Sequence, residues 1–288
     1  MKTIILATDF SAASHNAAKY AVEMANALEA RILLFNAYEV PLSIPESYVI
    51  VNPSEVKKAA EDYLLDEVVS LRKKSMYPIE ILAAEGNATE TILRQAEKYN
   101  DCLLVVGMKG DGKKTRNVFG STASGLARKS NIPLLIVPEN AVFRTINKIA
   151  LASDINFETD LSTIDALKEV GMSFNSKIYI VRVLKNNLNI VDELAYRSNR
   201  ILSKLKPLEA EYKFPRSGDV TKALQDFAED YNIDLLTVIP QHHNLLERVF
   251  IKSETRQLIF HAYIPLLILP EKIKHSDKQS TSLQKQQS

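Results

Sequence analysis

The sequence predicts an α/β fold: two tandem, doubly wound parallel sheets, each flanked by helices. Three observations carry this. Short apolar runs alternate with stretches of helical spacing, the pattern of a parallel sheet between helices. Two segments recur 132 residues apart: YNDCLLVVG (Tyr99 to Gly107) returns as YNIDLLTVI (Tyr231 to Ile239), and IPLLIVPE (Ile132 to Glu139) as IPLLILPE (Ile264 to Glu271). Five of the eight glycines fall between Gly107 and Gly125, after an apolar run and at the start of a helix-like stretch.

Thr3 to Ala7 reads as the first strand, ending at Thr8-Asp9. From Ser11 to Leu28, Ala17, Ala21, Met24, Ala25 and Leu28 keep helical spacing, with Ser11 or Ser14 as the cap. Arg31 to Ala37 is the second strand. Prolines 41, 45 and 53 then predict an irregular loop. Ser54 to Lys74 reads as a helix with Glu and Lys mixed on its polar face. Pro78 to Ala84 is the third strand, and Asn87 to Tyr99 a helix capped by Asn87 or Thr89. Cys102 to Val106 is the fourth strand, followed by the glycine-rich stretch and a helix to Lys129. Pro133 to Val137 is the fifth strand, closed by Pro138.

The second half repeats the scheme. INKIALAS (Ile146 to Ser153) matches the opening strand, with Asp154 where Asp9 stood, and KIYIVRV (Lys177 to Val183) matches the second strand. The expected domains are 1–140 and 141–271. The remainder, 272–288, is rich in Lys, Ser and Gln and has too few apolar residues to offset the entropy of ordering, so a disordered tail is expected.

The stretch GMKGDGKKTRNVFGST (Gly107 to Thr122) has two readings. A strand, a glycine-rich turn and a helix start make a phosphate cradle, because N–H groups at a helix N-terminus lack partners and carry the positive end of the dipole. A flexible surface loop has the same composition. In doubly wound sheets ligands bind beyond the carboxyl ends of the strands, where strand order reverses. Asp9 and the glycine stretch share one crevice if the first and fourth strands are neighbours. The second copy does not keep the glycines: Ile239 replaces Gly107, His242 replaces Gly110 and Lys252 replaces Gly120, while Ser253 retains the serine of Ser121.

A formal charge of +1 gives no whole-molecule bias toward nucleic acid or anionic membranes, and neither is expected as a partner. The single cysteine, Cys102, excludes an intrachain disulfide and reads as a buried thiol. No apolar run approaches the length of a bilayer span, and the apolar part of MKTIILATDF is too short for a signal peptide. The expectation is a cytoplasmic protein.

With these residues in place, the chain resembles a tandem universal stress protein over nearly everything but the tail. The family's nucleotide motif, G-x2-G-x9-G-[ST], is matched by Gly107, Gly110, Gly120 and Ser121, and ILATDFS and IPLLIVP look like its first and fifth strands. The resemblance implies strand order 3-2-1-4-5, which supplies the adjacency of the first and fourth strands. It implies ATP, with or without Mg, in the first domain. Thr8, Asp9 and the backbone near Ala37 would meet the adenosine end. Gly107 and Met108 would lie along the ribose, and Gly110, Gly120, Ser121 and Thr122 around the phosphates. It also implies fifth strands paired across a two-fold axis, here between the two domains of one chain or in a homodimer.

Other residues carry weaker readings. Lys109, Lys113, Lys114 and Arg116 flank the glycines as solvated charges or as partial counter-charges to phosphate. His242 and His243 are adjacent, without the i, i+4 spacing of a typical metal pair. Ser121 has no base placed beside it by the sequence, and no catalytic residue is assigned. The function classes left open are an ATP-binding regulatory protein, a slow ATPase or nucleotidyl transferase, and a binder of another small molecule.

Overall fold

The structure is a computed structural model and describes residues 1–41, 52–108, 120–152, 160–184, 200–239 and 264–271. The first half runs β1 (Thr3–Ala7), α1 (Ala12–Leu28), β2 (Arg31–Tyr38), α2 (Pro53–Leu71), β3 (Ile79–Glu85), α3 (Ala88–Ala96), β4 (Cys102–Met108), α4 (Ser121–Lys129) and β5 (Leu134–Pro138). The second half contributes β6 (Lys148–Ala152), a 3-10 turn (Leu161–Ile164), α5 (Asp165–Phe174), β7 (Lys177–Val181), β8 (Ala210–Lys213), α6 (Val220–Asp230), β9 (Leu235–Val238) and β10 (Leu266–Ile268).

Each element follows from local chemistry. Ser11 caps α1, accepting from the Ser14 N–H, and Asn87 caps α3, accepting from that of Glu90. Pro53, expected to belong to the loop, opens α2 instead. At the first helical position its missing N–H costs nothing and its fixed φ suits the helix, and the Asn52 side chain caps the turn. Along β1, Ile4 and Leu6 face one side of the sheet with α1 and α2, while Ile5 faces the other with α3 and α4.

Both halves have the order 3-2-1-4-5, and they are fused edge to edge into one ten-stranded sheet, β3-β2-β1-β4-β5-β10-β9-β6-β7-β8. Every pairing is parallel except the central one, β5 with β10. There Leu135 lies opposite Leu267, with Leu134 opposite Ile268 and Ile136 opposite Leu266. Leu135 and Leu267 are themselves equivalent positions of the repeat, so a local two-fold axis passes between them. The axis puts α1 and α5 in contact on one face, where Phe143 packs edge-on against Tyr20 at 4.8 Å and against Phe174 at 6.1 Å.

The proline-containing loop 42–51, Asp154, His242, His243, Lys252, Ser253 and the segment 272–288 lie outside the described residues.

Candidate functional site

The chain leaves β1 for β2 on one side and returns to β4 on the other, so strand order reverses at β1. A crevice opens there, at the carboxyl ends of these strands. Its walls come from the turn after β1 (Thr8, Asp9, Ser11), from Phe35 and Ala37 of β2, from Val106 and Gly107 of β4, and from the start of α4, Gly120 to Ala123. Ala88 and Ile92 of α3 close one side. Seven of the expected residues therefore meet: Thr8, Asp9, Ala37, Gly107, Gly120, Ser121 and Thr122. Gly110 lies outside the described residues.

Met108 does not line the crevice. β4 runs two residues further than the sequence suggested, and the period-2 alternation turns the Met108 side chain into the core, where it is fully buried. Its carbonyl accepts from the Glu139 N–H at 3.0 Å.

The turn after β1 is held on every side. The Thr8 N–H donates to the Phe35 carbonyl at 2.9 Å, and the Thr8 carbonyl accepts from Asn36 Nδ2 at 2.8 Å. Phe10 has φ of 61°, a left-handed conformation that disfavours a bulky side chain. Its N–H donates to Thr8 Oγ1 at 3.1 Å, and the Ser11 N–H donates to Asp9 Oδ1 at 3.1 Å. Partial burial would raise the Asp9 carboxyl, but hydrogen bonds from the Ser11 side chain and backbone and from Ser14 outweigh it and hold its pKa below the ordinary value. Asp9 is thus an ionised acceptor at the mouth of the crevice.

The glycines fall into two kinds. A Cβ on Gly107 would stand 2.5 Å from the carbonyl carbon and oxygen of Ala13 and 2.7 Å from the Ser14 nitrogen. A Cβ on Gly125 would meet Thr89 Oγ1 at 2.5 Å. These two glycines let α1 lie against β4 and α4 against α3. Gly120 is different: it has φ of −56°, and a Cβ there would meet nothing within 4 Å. Neither backbone strain nor packing among the described residues calls for glycine at this position. It is the N-cap of α4, whose first turn has no side-chain cap and no acidic residue, and whose first N–H-to-carbonyl bond runs from Ser124 to Gly120. The N–H groups of the preceding turn, with the Ser121 and Thr122 hydroxyls beside them, make a neutral, donor-rich wall suited to an anion.

One buried residue of this region escaped the sequence reading. Glu67, assigned with the other charges to the polar face of its helix, is buried in α2 with its side chain 3% exposed. Its Oε2 lies 3.1 Å from Thr8 Oγ1 and its Oε1 lies 2.9 Å from His15 Nδ1. The signal was present: Glu67 stands three residues after Leu64 and four before Leu71, on the apolar stripe.

In the second half, Ile239 stands where Gly107 does and is buried in the core. The helix after β6 also begins late. A 3-10 turn precedes α5, which has 10 residues against the 17 of α1. A helix packed as α1 is on Gly107 has no room against an isoleucine.

A doubly wound sheet with a crevice at its switch point, duplicated about a two-fold axis, defines a class of α/β proteins built as internal repeats. The comparisons with known proteins agree. The sequence model described as the universal stress protein family matches residues 1–138, and over that stretch the chain is similar to the family. Universal stress protein Sll1654 of Synechocystis is 26% identical over 139 residues, 48% of this chain and 85% of that protein. Universal stress protein MJ0531 of Methanocaldococcus jannaschii is 27% identical over 140 residues, 47% of this chain and 81% of that protein. Over both halves, the fold is that of a universal stress protein from Archaeoglobus fulgidus, with a TM-score of 0.72 at 18% identity, covering 93% of this chain and 98% of that one.

Proposed function

We propose that the chain is an ATP-binding regulatory protein that holds one nucleotide in the crevice of residues 1–140, while residues 141–271 act as its structural partner through the paired fifth strands. The observation that carries the reading is Gly120. A glycine at a helix start, with negative φ and open space among the described residues where a Cβ would stand, leaves the room that a phosphate group would need. The α4 N–H groups with Ser121 and Thr122 fit the phosphates. Asp9, as an ionised acceptor, fits the hydroxyl and amino donors of a nucleoside. Ile239 in place of Gly107, with the late start of α5, supports a single site.

Titration of nucleotide-free protein with ATP tests this directly. Saturation near one equivalent, lost in Gly120→Val, is the expected result. Absence of binding refutes the nucleotide reading, and two equivalents of similar affinity refute the structural role of the second half.

A further inference from the structure

Among the described residues, Glu67 is the only buried side chain that carries a formal charge. It lies among Ala60, Leu64, Val68 and Leu71 on the stripe of α2 that faces the core. A carboxylate in such a place costs several kcal/mol unless it is paired and hydrogen-bonded, and an apolar side chain of similar size would do the packing better. Packing therefore does not account for it, but its contacts do.

The hydrogen bonds around it admit one consistent assignment of protons. The Thr8 hydroxyl has two acceptors in reach, Glu67 Oε2 at 3.1 Å and Ser14 Oγ at 3.2 Å. The carboxylate is the stronger acceptor and takes the proton. The Thr8 oxygen then presents its lone pairs to the Phe10 N–H. The second oxygen of Glu67 accepts from His15 Nδ1. One turn earlier on the same face of α2, the Tyr63 ring lies 5.3 Å from that of Phe10. α2 thus grips both ends of the strained Thr8–Asp9–Phe10 turn, and Asp9 projects from its middle.

We infer that Glu67 is a positioning residue for nucleotide binding: through the Thr8 hydroxyl, with His15 as its outer partner, it fixes the turn that presents Asp9 to the crevice. The inference deepens the nucleotide reading and rests on it for the affinity readout. α2 itself does not line the crevice, so its influence on the ligand passes through this contact.

The test compares Glu67→Leu, which keeps the volume and removes the acceptor, with Glu67→Gln, which keeps an acceptor oxygen. Calorimetry with ATP and amide exchange of Phe10 by NMR are both measured, with thermal melting as the control for folding. Glu67→Leu is expected to melt no lower than wild type, yet to bind ATP on the order of tenfold more weakly and to exchange the Phe10 amide faster by a similar factor. Glu67→Gln recovers most of both losses. In a Thr8→Val background, Glu67→Leu adds no further loss. Unchanged Phe10 exchange in a folded Glu67→Leu protein overturns the inference, as does an equal loss in Leu and Gln. If wild type binds no ATP, the nucleotide reading fails on its own, and Phe10 exchange still decides whether Glu67 holds the turn.

Discussion

Replacing Gly107 by alanine should damage the fold whether or not any nucleotide is present. The added methyl would lie 2.5 Å from Ala13 C and O and 2.7 Å from Ser14 N, all backbone atoms that no rotamer change can move. Ordinary carbon contact begins near 3.5 Å, so the first turn of α1 must retreat by about 1 Å. Retreat strains the Ser11 cap, worth about 1 kcal/mol, and overpacking adds about 1–3 kcal/mol. A loss of roughly 2–4 kcal/mol corresponds to a fall in Tm of about 5–10 °C for a protein of this size. Calorimetric melting of nucleotide-free protein measures it, with Gly120→Ala as the comparison. That variant meets no atom within 4 Å and should lose less than about 1 kcal/mol, the scale of one helix cap. A Gly107→Ala protein that melts within about 2 °C of wild type would refute the steric role assigned to this glycine.

The other variants separate binding from stability. Gly120→Val should leave the Tm within a few degrees of wild type while weakening ATP binding by at least about tenfold, because its side chain fills space left open among the described residues at the α4 start; equal affinity would remove the site from the α4 start. The Asp9 pKa is held below its unfolded value of 3.8, so the carboxylate adds stability above that pH and loses it as pH falls through the folded value. Wild type should therefore be more stable than Asp9→Asn at pH 7, and the gap should close below pH 3.8; a gap that persists in denaturant titrations at low pH would contradict the assignment. Turnover of ATP should fall well below the ordinary enzyme scale of roughly 1 per second. Metal-dependent hydrolysis at that rate, lost in Ser121→Ala, would establish an enzyme.

Much of the architecture was legible because its signals are local or periodic. Apolar runs gave nine of the ten strands, the half-buried β8 (Ala210–Lys213, AEYK) being missed, and Ser11 and Asn87 announced their helices as caps. The repeat identified the fifth strands, and the axis between Leu135 and Leu267 follows from placing equivalent residues opposite one another. The site was legible in its membership and less so in its roles. Glycine says only that a Cβ is absent. Whether helix, helix neighbour or ligand excludes it is a tertiary fact, which is why Gly107, Gly120 and Gly125 looked alike in the sequence and differ in the structure. Met108 was expected along the ribose, and its side chain takes the core face because β4 continues two residues past its expected end. Glu67 was misassigned because a charge on a helix ordinarily marks its solvated face, and only the apolar spacing around it says otherwise.

The contrast between the halves follows from one position. With glycine at 107, α1 can start early and lie on the end of β4, so that Ser11 and Ser14 reach the crevice and the turn carrying Asp9 is short and tightly bonded. With isoleucine at 239, the corresponding strand end is occupied by a buried side chain, and a 3-10 turn precedes an α5 of 10 residues, seven shorter than the 17 of α1. The same isoleucine adds apolar surface to the core cluster that also contains Leu267 and Leu269. Burial of an aliphatic side chain of this kind contributes about 1.5–3 kcal/mol. Replacing Ile239 by glycine should therefore destabilise the fold by emptying a buried aliphatic position.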